Sequence, residues 1–249
     1  MDKQKFTELA QKHRGLFRFL FAVHNRFPFV NRWQGKPQIG LAWLRGCRVT
    51  GGRGNTLIIG DFARLKNCHF HFEGTGNTVS IGPWCSCEEA EFWIEDSGCT
   101  ISLGAHTALC GDIQLAAMEG TDITVGEGCL FANAVRLRTG DSHSLLKKST
   151  GARINPSKSI TVGNHVWVGT GVTILKGVQV ADGCVVGAGS LLAKAYSQPN
   201  CVLAGVPARE VKQDVDWTQS EFRYRRYYEN TLFRSWHGRC RGYAHRRPL

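Results

Sequence analysis

The sequence predicts an all-β fold, a parallel β-helix wound from six-residue units, with short helical extensions at its two ends. Three observations carry that prediction. Segments 54–60, 76–82, 98–104 and 120–126 each start 22 residues after the last, and each has Gly at both ends. A period of that size marks stacked repeats rather than a mixed globular core. Aliphatic or aromatic residues also recur at a step of six, at Val125, Phe131 and Leu137, then at Val162, Val168, Ile174, Val180, Val186 and Leu192. Four residues after the aliphatic position stands a small or β-branched one, as at Ala63, Cys85, Thr107, Cys129, Val166, Val172, Val178, Cys184 and Ser190.

A six-residue unit is one short strand and a turn, too small to bury an apolar face alone. Three units close an 18-residue triangular coil, and stacking the coils turns the aliphatics into one continuous core. The 22-residue period is then 18 residues of coil plus about four of protruding loop, while the stretch from Val162 onward runs at six without insertions. Cys85, Cys129 and Cys184 fall on the small inward position, where a thiol behaves as a small hydrophobe.

Outside the coils the composition shifts. Of 249 residues, 1–36 hold eight Lys and Arg against two acids, and 212–249 hold nine against four. Residues 37–211 hold fourteen of each, so the net charge of +11 sits entirely in the ends. Basic ends on a neutral body suit an anionic partner, a membrane surface or a charged glycan, and equally a solvated tail. Residues 5–34 read as one or two amphipathic helices around Phe6, Leu9, Leu16, Phe17, Leu20 and Phe21, broken near Pro28. A helix is expected near 220–232. The expected organisation is a basic helical extension over 1–38, a β-helix domain over 39–211 with an insertion at 138–159, and a basic aromatic extension over 212–249. No apolar run nears the ~20 residues of a membrane span, and the start lacks a signal-peptide pattern. Ten cysteines without a secretion signal point to a reducing cytoplasm, with contact at the inner membrane face open to the basic ends.

The repeat breaks once. The step from Leu137 to Val162 is 25 residues where six would do. An insertion in a solenoid leaves the coil as an external loop, and loops on rigid scaffolds collect chemistry. This one carries Asp141-Ser142-His143-Ser144. An imidazole, with an unperturbed pKa near ~6.5, is suited to take a proton from a hydroxyl, and Asp141 stands close enough to orient it or to bind a substrate hydroxyl.

Asp141-Ser142-His143-Ser144, Arg153-Ile154-Asn155-Pro156 and Gly163-Asn164-His165-Val166-Trp167-Val168-Gly169 resemble the core of the hexapeptide-repeat O-acetyltransferases, the sugar and polysaccharide enzymes related to maltose and galactoside acetyltransferases. Ile174-Leu175-Lys176-Gly177-Val178, Val186-Gly187-Ala188-Gly189-Ser190 and Ala204-Gly205-Val206-Pro207-Ala208-Arg209 continue the likeness. It covers 100–211 strongly, 50–99 by repeat alone, and the ends not at all.

The resemblance implies a left-handed helix, an exception to the usual right-handed crossover, and a homotrimer with each site between two neighbours. It implies that His143 deprotonates the acceptor hydroxyl, that the alkoxide attacks the thioester of acetyl-CoA directly, and that a backbone N–H near Thr170 steadies the oxyanion. Trp167 matches a tryptophan that walls the acceptor site, with packing between subunits as its alternative role. Gly169, Thr170, Ala188, Lys194, Arg209 and Lys212 fall at positions that contact acetyl-CoA, the cations toward its phosphates. Glu119 is a candidate carboxylate facing the acceptor, where maltose-type relatives place an Asn one coil before the histidine. The expected acceptor is a saccharide hydroxyl, and no metal is expected.

Two other classes share features with this chain. A γ-class carbonic-anhydrase-like metalloenzyme needs three zinc-binding histidines, but His143 has none within five residues and His69-x-His71 lies several coils earlier. A non-enzymatic binding module would use the basic ends alone and leave the donor motifs without purpose. Tyr224, Tyr227, Tyr228 and Trp236 alternate with Arg in the tail, but no RNA-binding motif accompanies them, so nucleic acid is not the expected partner.

Overall fold

In the computed structural model, which describes residues 3–25 and 35–219, seven coils stack into a left-handed parallel β-helix with three faces. The first face runs in seven parallel strands from Lys36–Ile39 to Gln179–Val180, and the third in seven from Arg48–Gly51 to Leu191–Leu192. The second face runs from Trp43–Arg45 through Val185–Val186 to Val202–Gly205. It ends in an antiparallel strand, Ala208–Lys212, whose reversed direction closes the ladder to further parallel pairing.

The repeat positions stack on one another. Ile101 pairs with Val79 on one side and Ile123 on the other, and all three are buried. The expected small inward residues Ala63, Cys85, Thr107, Cys129, Val166, Val172, Val178 and Cys184 are fully buried, and Ser190 is nearly so. Burial pushes the thiols of Cys85 and Cys129 up to about 11, so they pack as hydrophobes and stay protonated.

The corners obey a steric rule. A Cβ on Gly104 would lie 2.5 Å from the carbonyl carbon of Gly126 and 2.6 Å from the nitrogen of Glu127, both in the next coil. Coils at strand spacing leave no volume there for a side chain. A neighbouring corner solves a different problem with buried amides. Asn55 Oδ1 accepts the N–H of Asn77 at 3.0 Å, and Asn77 Oδ1 accepts that of Cys99 at 2.9 Å, so a corner N–H in each following coil is satisfied.

The extra residues of the 22-residue period all fall at one corner. Phe92 to Leu103, third face to first, takes eleven residues, whereas Ile174 to Val180 takes six. The long insertion leaves at the same corner, after Arg136–Arg138, and rejoins at Ile160–Val162.

At the N-terminal end two helices, α1 (Lys3–Lys12) and α2 (Arg14–Asn25), meet at His13; Pro28 and the helix expected near 220–232 lie outside the described residues. The helices pack sideways on the coils. Ala10 and Phe21 are buried with Leu41 and Phe62, and Phe6, Phe17 and Trp43 pack around them. Arg14 donates twice to Asp61, at 2.8 and 3.1 Å.

The widest side chains of the core stack inside the third face, where Phe70 and Phe92 lie 4.8 Å apart and nearly parallel, both fully buried. Phe92→Ala is expected to cost about 3–5 kcal/mol, because coils held at fixed spacing cannot close over the void. Chemical denaturation of the variant checks it.

Candidate active site

The insertion is a small ordered structure. Residues 145–154 form a hairpin in which Ile154 N–H donates to Leu145 O and Lys147 N–H to Ala152 O, both at 2.8 Å. At its base Lys158 N–H donates to Thr139 O at 2.9 Å. Asn155, 7% exposed, is the hub. Its Oδ1 accepts the Leu145 N–H at 2.7 Å, and its Nδ2 donates to Asp141 Oδ2 at 2.7 Å and to the carbonyl of His143 at 2.8 Å.

Charges from the coils above and below clamp the loop. Lys176, one coil on, donates to Asp141 and, at 3.1 Å, to the Asn155 carbonyl. Lys176 and Asn155 together hold the Asp141 carboxyl below its ordinary range. Glu119, one coil back, accepts from Arg153 Nη2 at 2.6 Å and from the Ser157 N–H at 3.1 Å. Arg153, aided by Ser157, draws the Glu119 carboxyl down to about 2. Ser142 donates to Glu95 Oε2 at 2.9 Å and accepts from Arg138.

His143 therefore has its backbone fixed and its ring exposed. No hydrogen bond or ion pair engages its imidazole among the described residues, and Asp141 spends its carboxylate on Lys176 and Asn155. Beside the loop, along the insertion-bearing corner of the earlier coils, opens a cavity of about 460 Å³. Ser142, Glu95, Glu119 and Trp93 line it with Glu73 and Asp96, so carboxylates and one indole face its space. His71 stacks on Trp93 at 4.0 Å and shares the Thr50 hydroxyl with His69.

The other predicted residues stand elsewhere. Gly169, Thr170 and Ala188 lie at the corner between the second and third faces, in consecutive coils. The Gly169 N–H is taken by the Val186 carbonyl at 2.8 Å, whereas the N–H groups of Thr170 and Ala188 find no acceptor among the described residues. Gly169 also has a packing duty, since a Cβ there would meet the Ala188 nitrogen at 2.7 Å. Lys194 lies over the Tyr196 ring at 5.7 Å, and the Tyr196 hydroxyl donates to the Ala208 carbonyl in the last hairpin. Arg209 and Lys212 are exposed on that hairpin. No hydrogen bond or ion pair joins His143 to this group.

Trp167, 40% exposed, sits 6.0 Å from Trp217. Trp217 folds back from the C-terminal segment, stacks on His165 at 4.4 Å and donates to the His165 carbonyl at 2.7 Å. Asn155, Lys176, Arg153 and Trp217 have structural parts in the site that no sequence pattern assigned. Asn155, Lys176 and Arg153 stood inside the quoted motifs, but the contacts that make them matter cross between coils.

The bacterial transferase hexapeptide family (six repeats) matches residues 159–194. Among solved structures, the polysialic acid O-acetyltransferase OatWY superposes with a TM-score of 0.67 at 30% identity, over 80% of this chain and 96% of that one. The polySia-specific acetyltransferase NeuO gives 0.68 at 27% identity, over 76% and 87%. By sequence, the chain is 32% identical over 122 residues to the polysialic acid O-acetyltransferase of Neisseria meningitidis, 49% of this chain and 57% of that protein. It is 38% identical over 104 residues to the galactoside O-acetyltransferase of Escherichia coli K12, 41% and 49% of the two chains. The chain thus spans about half the length of these curated relatives. It belongs to the hexapeptide-repeat O-acetyltransferase family.

The Glu119 clamp has a pH signature. A carboxyl held below its ordinary value stabilises the fold above that value and loses its effect as pH falls through the folded one. The loop is therefore expected to stay clamped from neutral pH through the ordinary carboxylate range near ~4.3, and to loosen as pH approaches about 2. At neutral pH, Glu119→Gln is expected to speed tryptic cleavage after Lys147 and Lys148 several-fold, read by mass spectrometry, with the global melting curve little changed.

Proposed function

We propose that this chain moves an acetyl group from acetyl-CoA to a hydroxyl of a sugar or a surface-polysaccharide precursor, with His143 as general base. The observation that carries the reading is the state of His143: a backbone anchored through Asn155 and a ring with no partner among the described residues, on a loop clamped by two coils. Such a ring is positioned without being consumed, as proton abstraction from a bound hydroxyl requires. The cavity beside Ser142 offers the acceptor an indole face at Trp93 and carboxylate oxygens that accept from sugar hydroxyls. The acceptor class also follows the names of the relatives, which act on polysialic acid and galactosides.

The donor residues fit acetyl-CoA. The open N–H groups of Thr170 and Ala188 match the amide carbonyls of an extended pantetheine arm, and Lys194, Arg209 and Lys212 offer cations to its phosphates. When bound, acetyl-CoA supplies an acyl thioester. His143 takes the proton of the acceptor oxygen, and the Thr170 N–H donates to the acyl carbonyl oxygen as negative charge builds there. Asp141 acts through the loop, fixing with Asn155 the backbone that carries His143. Trp167 walls the acceptor side.

The loop stands at one corner of the β-helix and the donor residues at another, spread over successive coils, so a complete site needs a second copy. The open end of the hairpin presents Leu145, Leu146 and Ile154, each about 60% exposed and covered by nothing among the described residues. A homotrimer with one site between each pair of neighbours accounts for both facts, and the cytoplasm is its proposed setting. Among the described residues no helix is long and apolar enough to cross a membrane.

The test is release of free CoA thiol from acetyl-CoA against galactosides, polysialic acid and lipid-linked glycans. Activity on at least one saccharide is expected, falling about 10²–10⁴-fold in kcat in His143→Ala. No release with any acceptor, or an unimpaired variant, overturns the reading. Asn155→Ala is expected to lower kcat while acetyl-CoA binding, followed by calorimetry, is kept.

A further inference from the structure

We propose that the outer face of the α1–α2 pair docks on an anionic membrane surface. The inner face is fully used: Ala10, Phe6, Phe17 and Phe21 pack on Leu41, Trp43 and Phe62, and the Arg14–Asp61 pair pins the start of α2 to the coils. Packing and solubility then call for a polar outer face. Instead it carries an exposed apolar stripe. Leu16, Phe19 and Leu20 stand at i, i+3 and i+4, one stripe of α2, and are 58%, 65% and 49% exposed. Leu9 on α1 is 42% exposed. Lys5 and Lys12, four before and three after Leu9, share its face and are exposed.

Charge chooses the occupant. Residues 1–36 carry eight Lys and Arg against two acids, on a body that is neutral over 37–211. A second copy of this face would bring like charge to like charge. A soluble polyanion satisfies the lysines but has no use for Phe19, Leu16 and Leu20. A bilayer with anionic headgroups takes both at once: the apolar stripe enters the headgroup–acyl boundary while the ammonium groups stay at the phosphate level. Helices of 10 and 12 residues lie in that plane and are far too short to span the ~30 Å hydrocarbon core. The inference stands apart from the proposed transfer reaction, because nothing in it depends on His143 or on a donor.

The experiment is co-sedimentation of the full chain with vesicles of mixed phosphatidylglycerol and phosphatidylcholine, and with phosphatidylcholine alone, without acetyl-CoA. Binding to the mixed vesicles that weakens with salt is expected, with a drop of about tenfold or more in the double variant Leu16→Glu/Phe19→Glu. Both positions are exposed, so the melting curve and the mass by light scattering should match the parent and separate lost docking from lost folding. Absence of binding at low salt overturns the proposal. So does a double variant that sediments like the parent, which would assign binding to basic residues elsewhere. A double variant that changes mass would show the face joining copies of the chain, and overturns it too.

Discussion

Everything in this molecule follows from the vertical spacing of its coils. Parallel strands stack about 4.8 Å apart, and with three faces each coil must repeat that rise at every strand and corner. Inward side chains therefore sit on copies of themselves, and the core becomes ladders such as Leu57, Val79, Ile101 and Ile123. Where corners stack closest, only Gly avoids the next backbone. Where a corner N–H would be stranded, a buried Asn supplies the acceptor. The fold tolerates extra length only where the chain can leave the stack and return in register. Here that is the corner from third face to first, which takes both the extensions of four or five residues and the long insertion.

That restriction explains why the candidate loop is well held although its residues are exposed. An insertion at one corner lies between the neighbouring corners of the coils above and below, so both can grip it. Glu119 reaches it from one side through Arg153 and Ser157, and Lys176 from the other through Asp141. Each of these ion pairs is partly solvated and modest alone. Their shared anchor is the buried amide of Asn155, which would be left unsatisfied if the loop lifted away. His143 inherits this rigidity through its carbonyl, while its ring has no partner among the described residues.

The solenoid was legible in the sequence because its cause is periodic. Glycines and aliphatics at fixed steps are the direct imprint of stacking, so faces, core positions and the exit of the loop after Leu137 could be read by counting. Contacts that do not repeat left no such trace. Asp141 lies two residues before His143, a spacing that suggests a partnership, yet its carboxylate faces Lys176, 35 residues on. The sequence offers Glu119 as a carboxylate facing an acceptor; its oxygens hold Arg153 and Ser157, 34 and 38 residues away, while the residue also borders the cavity. The amphipathic pattern of residues 5–34 announces helices, but it does not say that one stripe is spent on Trp43 and Phe62 and another left bare.

The same spacing rule also sets where such a protein can vary. The plain coils, matched by the family over 159–194, have six residues per side and no slack, so a change there disturbs two neighbouring coils at once. The earlier coils carry slack at a single corner, and the side chains gathered there, Glu73, Trp93, Glu95, Asp96 and Glu119, point into the cavity rather than the core. Substitution among them alters the shape and charge of that space without touching a ladder. The molecule is thereby divided into coils whose geometry is fixed by packing and a corner with room to change, save at side chains such as Glu119 and Glu95 that also hold the loop.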